Sequence, residues 1–149
     1  MSHLRFSHQF KMSSLASNDE VRILLRRLRE RLSEFGVAEQ TCASAETVLA
    51  EALNNITEHA YADQEDGPIE VSAEIGTGKV RFTLCDRGMP IPGCRLPRGK
   101  PQDTEVALED LPEGGFGWLL IRDLTSSVTY DRDEDGNRLT LTLSDDHNA

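Results

Sequence analysis

Two consecutive stretches of this chain place their apolar residues along one side of a helix, and nothing else in the sequence constrains the fold as much. The first carries Val21, Leu24, Leu25, Leu28 and Leu32; the second carries Ala45, Val48, Leu49, Ala52 and Ile56. Steps of three and four residues gather each set into a single stripe. Ser17, with Glu20 three residues on, makes a capping box ahead of the first helix, and Gly36 is a natural stop behind it. The second helix is predicted from about Ala38 to about His59. The flanking segments alternate instead. Leu4, Phe6, His8, Phe10 and Met12 keep period two, as do Ile69 to Ile75 and then Val80, Phe82 and Leu84, with a hairpin turn at Gly76-Thr77-Gly78. Gly114-Gly115-Phe116-Gly117 opens a third helix, Trp118 to about Thr125. A last hairpin joins Val128–Tyr130 to Leu139–Leu143 around Asp135-Gly136-Asn137. Strand, two helices, two strands, a long loop, a helix and two strands predict an α+β fold. The expected form is a two-layer α/β sandwich: a mixed, mostly antiparallel sheet with helices on one face. At 149 residues the chain fits one domain, 1–149.

From Arg87 to Glu113 periodicity is lost, and five of the 6 prolines fall there. A loop of this length in a compact domain points to a functional lid, with a short helix predicted over Thr104 to Leu111. A net charge of −10 repels phosphate backbones and anionic membranes, so neither nucleic acid nor a membrane is an expected partner. No apolar run approaches the roughly 20 residues of a membrane span, and Met1 to Met12 has no apolar core of a secretory signal. The expected location is the cytoplasm. Cys42, Cys85 and Cys94 are odd in number and form no CxxC, which points to reduced thiols and neither disulfides nor zinc.

Three groups of residues could carry chemistry. Glu51, Asn55 and His59 stand four residues apart, close to one face of the second helix. A solvated helix face explains an isolated Glu-x-x-x-Asn equally well, and a lone histidine near a helix end is more often a polar contact than a catalyst. Asp86-Arg87-Gly88-Met89-Pro90 follows a strand, where an Asp can accept from a purine amino group and a Gly lets the backbone approach a flat ligand. Taken alone this is turn chemistry. Gly114, Gly115 and Gly117 precede an apolar helix, and backbone N–H groups at a helix start bind phosphate. Neither Gly-x-x-x-x-Gly-Lys-Ser/Thr nor Gly-x-Gly-x-x-Gly occurs, so neither a P-loop nor a dinucleotide fold is indicated.

In this order, the three groups resemble the boxes of the GHKL (Bergerat) ATP-binding fold, and most closely those of the anti-sigma-factor serine kinases, the RsbW-like branch. Glu51 to Tyr61 resembles the N box, Asp86-x-Gly88-x-Pro90 the first glycine box, and Gly114 to Arg122 the second; Gly136 to Leu141 is similar too. The resemblance implies ATP and Mg²⁺ as cofactors. It gives Asn55 to the metal, Glu51 to the proton of a partner's serine hydroxyl, and Asp86 to the adenine. Gly88, Gly114, Gly115 and Gly117 would flank the nucleotide. It implies a homodimer in a partner-switching system that holds a sigma factor or another regulator and phosphorylates an anti-anti-sigma protein of the STAS type. Two departures stand out. Pro90 replaces a glycine common in the superfamily, and Glu113 stands where some of these kinases carry an arginine; Arg98, Lys100 and Arg122 are the nearby cations. The second departure supports an alternative, an ATP-gated anti-sigma module without phosphotransfer. The ATPase half of a sensor histidine kinase is not expected, because too little sequence precedes the first strand to hold a phosphoacceptor helix pair.

Overall fold

The computed structural model describes residues 6–61, 67–91 and 115–145. In chain order these form β1 (Phe6–Leu15), α1 (Asn18–Glu34), α2 (Glu39–Asn55), a π-helical turn (Ile56–Ala60), β2 (Pro68–Gly76), β3 (Lys79–Asp86), α3 (Gly115–Leu124), β4 (Ser127–Asp133) and β5 (Gly136–Ser144). The strands make one sheet in the order β1-β2-β3-β5-β4, and all four ladders are antiparallel. The two-layer α+β architecture expected from the sequence is the one observed. Residues 92–113, which include most of the expected lid, its predicted short helix and Cys94, lie outside the described residues, as do 1–5.

Register explains how a sheet with one polar face forms. Phe10, Ala73, Phe82, Leu141 and Val128 lie opposite one another across all five strands. The neighbouring row is Lys11, Ser72, Thr83, Thr140 and Thr129. Period-two side chains put the first row under the helices and the second on the open face. Leu24, Leu28 and Leu32 of α1 and Val48, Leu49, Ala52 and Leu53 of α2 are buried against the apolar rows. Phe82, at the centre of the sheet, has no exposed surface, and emptying a site of that kind costs about 3–5 kcal/mol. Among the described residues no helix is long and apolar enough to cross a membrane.

The predicted caps form. The Ser17 side chain accepts the Glu20 N–H at 3.2 Å, and Gly36 closes α1 at φ +83°. The second helix differs from its prediction. It is α-helical only to Asn55, then widens into the π turn, where the Tyr61 N–H donates to the Ile56 carbonyl at 3.0 Å. Tertiary bonds hold this tail. The Ala60 carbonyl accepts the Met89 N–H at 2.7 Å, while the Tyr61 hydroxyl donates to the Pro68 carbonyl at 2.8 Å and accepts the Arg87 N–H at 2.6 Å. A π turn inside a helix is rare and concentrates at functional sites. Here it turns His59, expected on the face of Glu51 and Asn55, into solvent.

Candidate functional site

The sequence-predicted residues line α2 and its continuation, at the edge of the helical layer. Spaced at 1.5 Å per residue, Glu51 to Ala60 spans roughly 13 Å. The start of α3 meets one end of this line and the loop after β3 meets the other.

At the first end, Glu51 is half-buried against Gly117. A Cβ on Gly117 would stand 2.6 Å from Glu51 Oε2 and 3.4 Å from its Cδ, so α3 runs close against this carboxylate and a larger residue there would push the Glu51 side chain aside. Gly117 is the third residue of α3, in the turn whose N–H groups have no partner within the helix. The glycine box therefore forms the first helical turn itself, where the sequence placed it ahead of a helix beginning at Trp118. Gly115 begins α3, and Gly114 lies outside the described residues. Trp118 is buried in the core.

Asn55 sits one turn along α2 from Glu51. Its Nδ2 is fully enclosed and has no hydrogen-bond partner among the described residues. An enclosed amide left unpaired costs about 1–3 kcal/mol, and such groups are few in folded proteins. Its oxygen is a hard donor of the kind a hard cation takes. The amide is thus suited to a ligand, and Mg²⁺ coordinated mainly by phosphate and water needs only one or two protein ligands.

The second end is densely bonded. Asp86 closes β3 and is 6% exposed. Its Oδ1 accepts the Gly88 N–H at 2.8 Å and Asn137 Nδ2 at 2.8 Å. Burial pushes the Asp86 carboxyl above the usual carboxylate range, opposed by the Asn137 amide, the Gly88 N–H and the Arg132 guanidinium. A Cβ on Gly88 would overlap the Ala60 backbone, so this loop packs directly on the π turn. Gly136, at φ +121°, brings β5 against the Asp86 carbonyl in the same way.

Sequence reasoning found Glu51, Asn55, Asp86, Gly88 and Gly117, and the structure places each in this band. Asn137, Tyr130, Arg132 and Tyr61 belong to it too. In the sequence Asn137 reads as hairpin chemistry; what brings it to the site is its pairing with Asp86 across β3 and β5, visible only once the register is known. Arg98, Lys100 and Glu113 lie outside the described residues, and Arg122 is exposed on α3.

Comparison with known proteins bears on this geometry. A family model described as the histidine kinase-like ATPase domain matches residues 15–143. A serine-protein kinase RsbW of Oceanobacillus iheyensis is 32% identical over 105 residues, covering 66% of this chain and 66% of that protein. A serine-protein kinase RsbW of Staphylococcus aureus is 28% identical over 130 residues, covering 85% of this chain and 80% of its own length. The chain thus spans about two thirds to four fifths of these relatives. A crystal structure of RsbU and RsbW domains from Mycobacterium tuberculosis superposes with a TM-score of 0.64 at 23% identity, covering 93% of this chain and 32% of the other. That likeness concerns the fold.

Proposed function

Because the chain belongs to the histidine kinase-like ATPase domain family and is RsbW-like, we propose that it binds Mg²⁺–ATP and transfers the γ-phosphoryl group to a serine of an anti-anti-sigma protein. In the unphosphorylated cycle it holds a sigma factor or a comparable regulator. The observation that carries this reading is the contact of Glu51 with the first turn of α3, one helical turn from Asn55.

The chemistry follows from the two ends. On this reading the Asp86 end would take the base and the start of α3 the phosphates. There, helix N–H groups and the positive end of the helix dipole would stabilise the phosphoryl group. Bound at Asn55, Mg²⁺ would neutralise charge on the transferring group. Glu51 accepts the proton of the incoming serine hydroxyl. The serine oxygen then bonds to the γ-phosphorus as the bond to the β,γ-bridging oxygen breaks, and ADP leaves. With no side chain, Gly117 leaves room for the Glu51 carboxylate beside the helix start.

The decisive experiment incubates the full chain with labelled ATP, Mg²⁺ and candidate anti-anti-sigma proteins from the same genome. Label on a partner serine supports the reading. ATP binding without transfer to any cognate partner replaces it with the ATP-gated binding module. No ATP binding overturns it altogether.

A further inference from the structure

Asn137 makes every hydrogen bond its amide can make. Nδ2 donates to Asp86 Oδ1 at 2.8 Å and to the Met89 carbonyl at 2.9 Å, with the Gly88 carbonyl at 3.3 Å. Oδ1 accepts the Tyr130 hydroxyl at 2.5 Å and Arg132 Nη1 at 2.8 Å. The amide has one chemically possible orientation. A guanidinium can only donate and a backbone carbonyl can only accept, so exchanging the ends would set donor on donor and acceptor on acceptor. Arg132 Nη1 also donates to the Gly88 carbonyl at 3.0 Å, and the Tyr130 hydroxyl accepts the Ile91 N–H at 3.2 Å. The β4–β5 hairpin thereby grips the loop that follows Asp86.

The consequence falls on Asp86. Its Oδ1 is filled by two donors. Its Oδ2 has no hydrogen bond among the described residues, and it is not fully enclosed, since the enclosed unpaired atom there is Asn55 Nδ2. One oxygen is held and the other is offered. Asn137 and Gly88 both donate to Oδ1, which favours the ionised carboxylate against the burial that pushes it toward the neutral form, and they leave Oδ2 as the open acceptor.

We infer that Asn137 is a positioning residue that sets the base specificity of the site, holding Asp86 Oδ1 so that Oδ2 is presented as an acceptor for the exocyclic amine of a 6-aminopurine, and so rejecting 6-oxopurines. The inference rests on the nucleotide reading above and adds what selects the base. A 6-oxopurine in the same pose sets its carbonyl against the carboxylate. A site built to receive a donor rejects an analogue lacking it far more strongly than a merely hydrophobic pocket does. Tyr130 and Arg132 act one step further out by fixing the amide.

The test compares Mg²⁺–ATP with Mg²⁺–ITP, whose base differs at the 6-position in carrying oxygen for the amine. Calorimetry gives both affinities for the parent chain and for Asn137→Leu, Asn137→Asp and Tyr130→Phe, with thermal melting as the folding control. The parent should prefer ATP by about 100-fold or more. Asn137→Leu should bring the ratio below about 10-fold, with the loss falling on ATP. Asn137→Asp keeps the shape and the bonds from Tyr130 and Arg132, so it tests the same point if the leucine variant fails to fold. It too should collapse the ratio, because a second acid replaces the donor. Tyr130→Phe, which leaves Arg132 to orient the amide, should keep most of the preference. A folded Asn137 variant with the parental ratio overturns the inference and leaves ATP binding standing. A parent that binds neither nucleotide overturns the nucleotide reading itself.

Discussion

The two ends of the site are built on opposite plans. Around Asp86 nearly every polar atom is paired: Asn137, Tyr130, Arg132, Gly88 and Met89 form one closed set of hydrogen bonds, and Tyr61 ties the end of the π turn to Pro68 and Arg87. Around Glu51 and Asn55 the bonding among the described residues is sparse: Gly117 leaves room for the Glu51 carboxylate, and Asn55 Nδ2 is enclosed without a partner among them. The difference fits the ligands each end would take. A base is flat, neutral and recognised by fixed direction, so its receptor is set in advance. Phosphates and a cation bring their own charge and ligands, so their receptor needs fewer bonds set in advance. A dense and a sparse set of bonds in one site therefore suit two recognition problems.

The contrast can be broken at either end. The largest effect is expected at Glu51. Glu51→Gln keeps the shape beside Gly117 and removes the proton acceptor, so serine phosphorylation should slow by about 10² to 10⁴-fold. ATP affinity measured by calorimetry should hardly change, and parental transfer rates in this variant would remove Glu51 from the base role.

Asn55→Ala comes next. Mg²⁺-dependent ATP binding should fall by roughly 10- to 100-fold in titration calorimetry. The apo protein should melt no lower than the parent beyond the small cavity left, because the change also removes an enclosed unpaired amide. A large apo destabilisation would show that this end is as fully bonded as the other.

Gly88→Ala tests the rigid end by overpacking. The added Cβ meets the Ala60 backbone, so the loop or the π turn has to shift, at about 1–3 kcal/mol in chemical denaturation. An unchanged midpoint would mean that the contact yields easily and the base end is less fixed than its bonds imply.

The smallest effect is that of pH on Asp86. Burial raises its pKa above the ordinary value, so between the two values the folded chain holds a proton that the unfolded chain has lost. Apo stability from this group therefore rises as pH falls through that window and falls as pH climbs back, with a slope of at most about 1.4 kcal/mol per pH unit. ATP affinity should run the other way, since only the ionised carboxylate accepts the base amine. Melting curves and ATP titrations over the same acidic range should diverge; parallel trends would separate Asp86 from base recognition.

The sequence alone determined the layers of this fold. Helical stripes and alternating strands are local patterns, because each residue's side is fixed by its neighbours three or two positions away. The Ser17 cap, the Gly36 stop, the hairpin at Gly78 and the band of Glu51, Asn55, Asp86, Gly88 and Gly117 were legible on those terms, the band with help from a family resemblance. What the sequence could not supply were contacts between residues distant in the chain. The helix predicted through His59 turns π after Asn55 because Ala60 and Tyr61 are held by Met89, Arg87 and Pro68. Asn137 reads as a turn residue until β5 lies beside β3 and sets it opposite Asp86. Helical and strand periodicity arise from backbone geometry within a few residues. Hydrogen bonds that cross 29 or 51 residues of chain exist only once the sheet has closed, and those bonds turn a strand-end carboxylate into a directed acceptor.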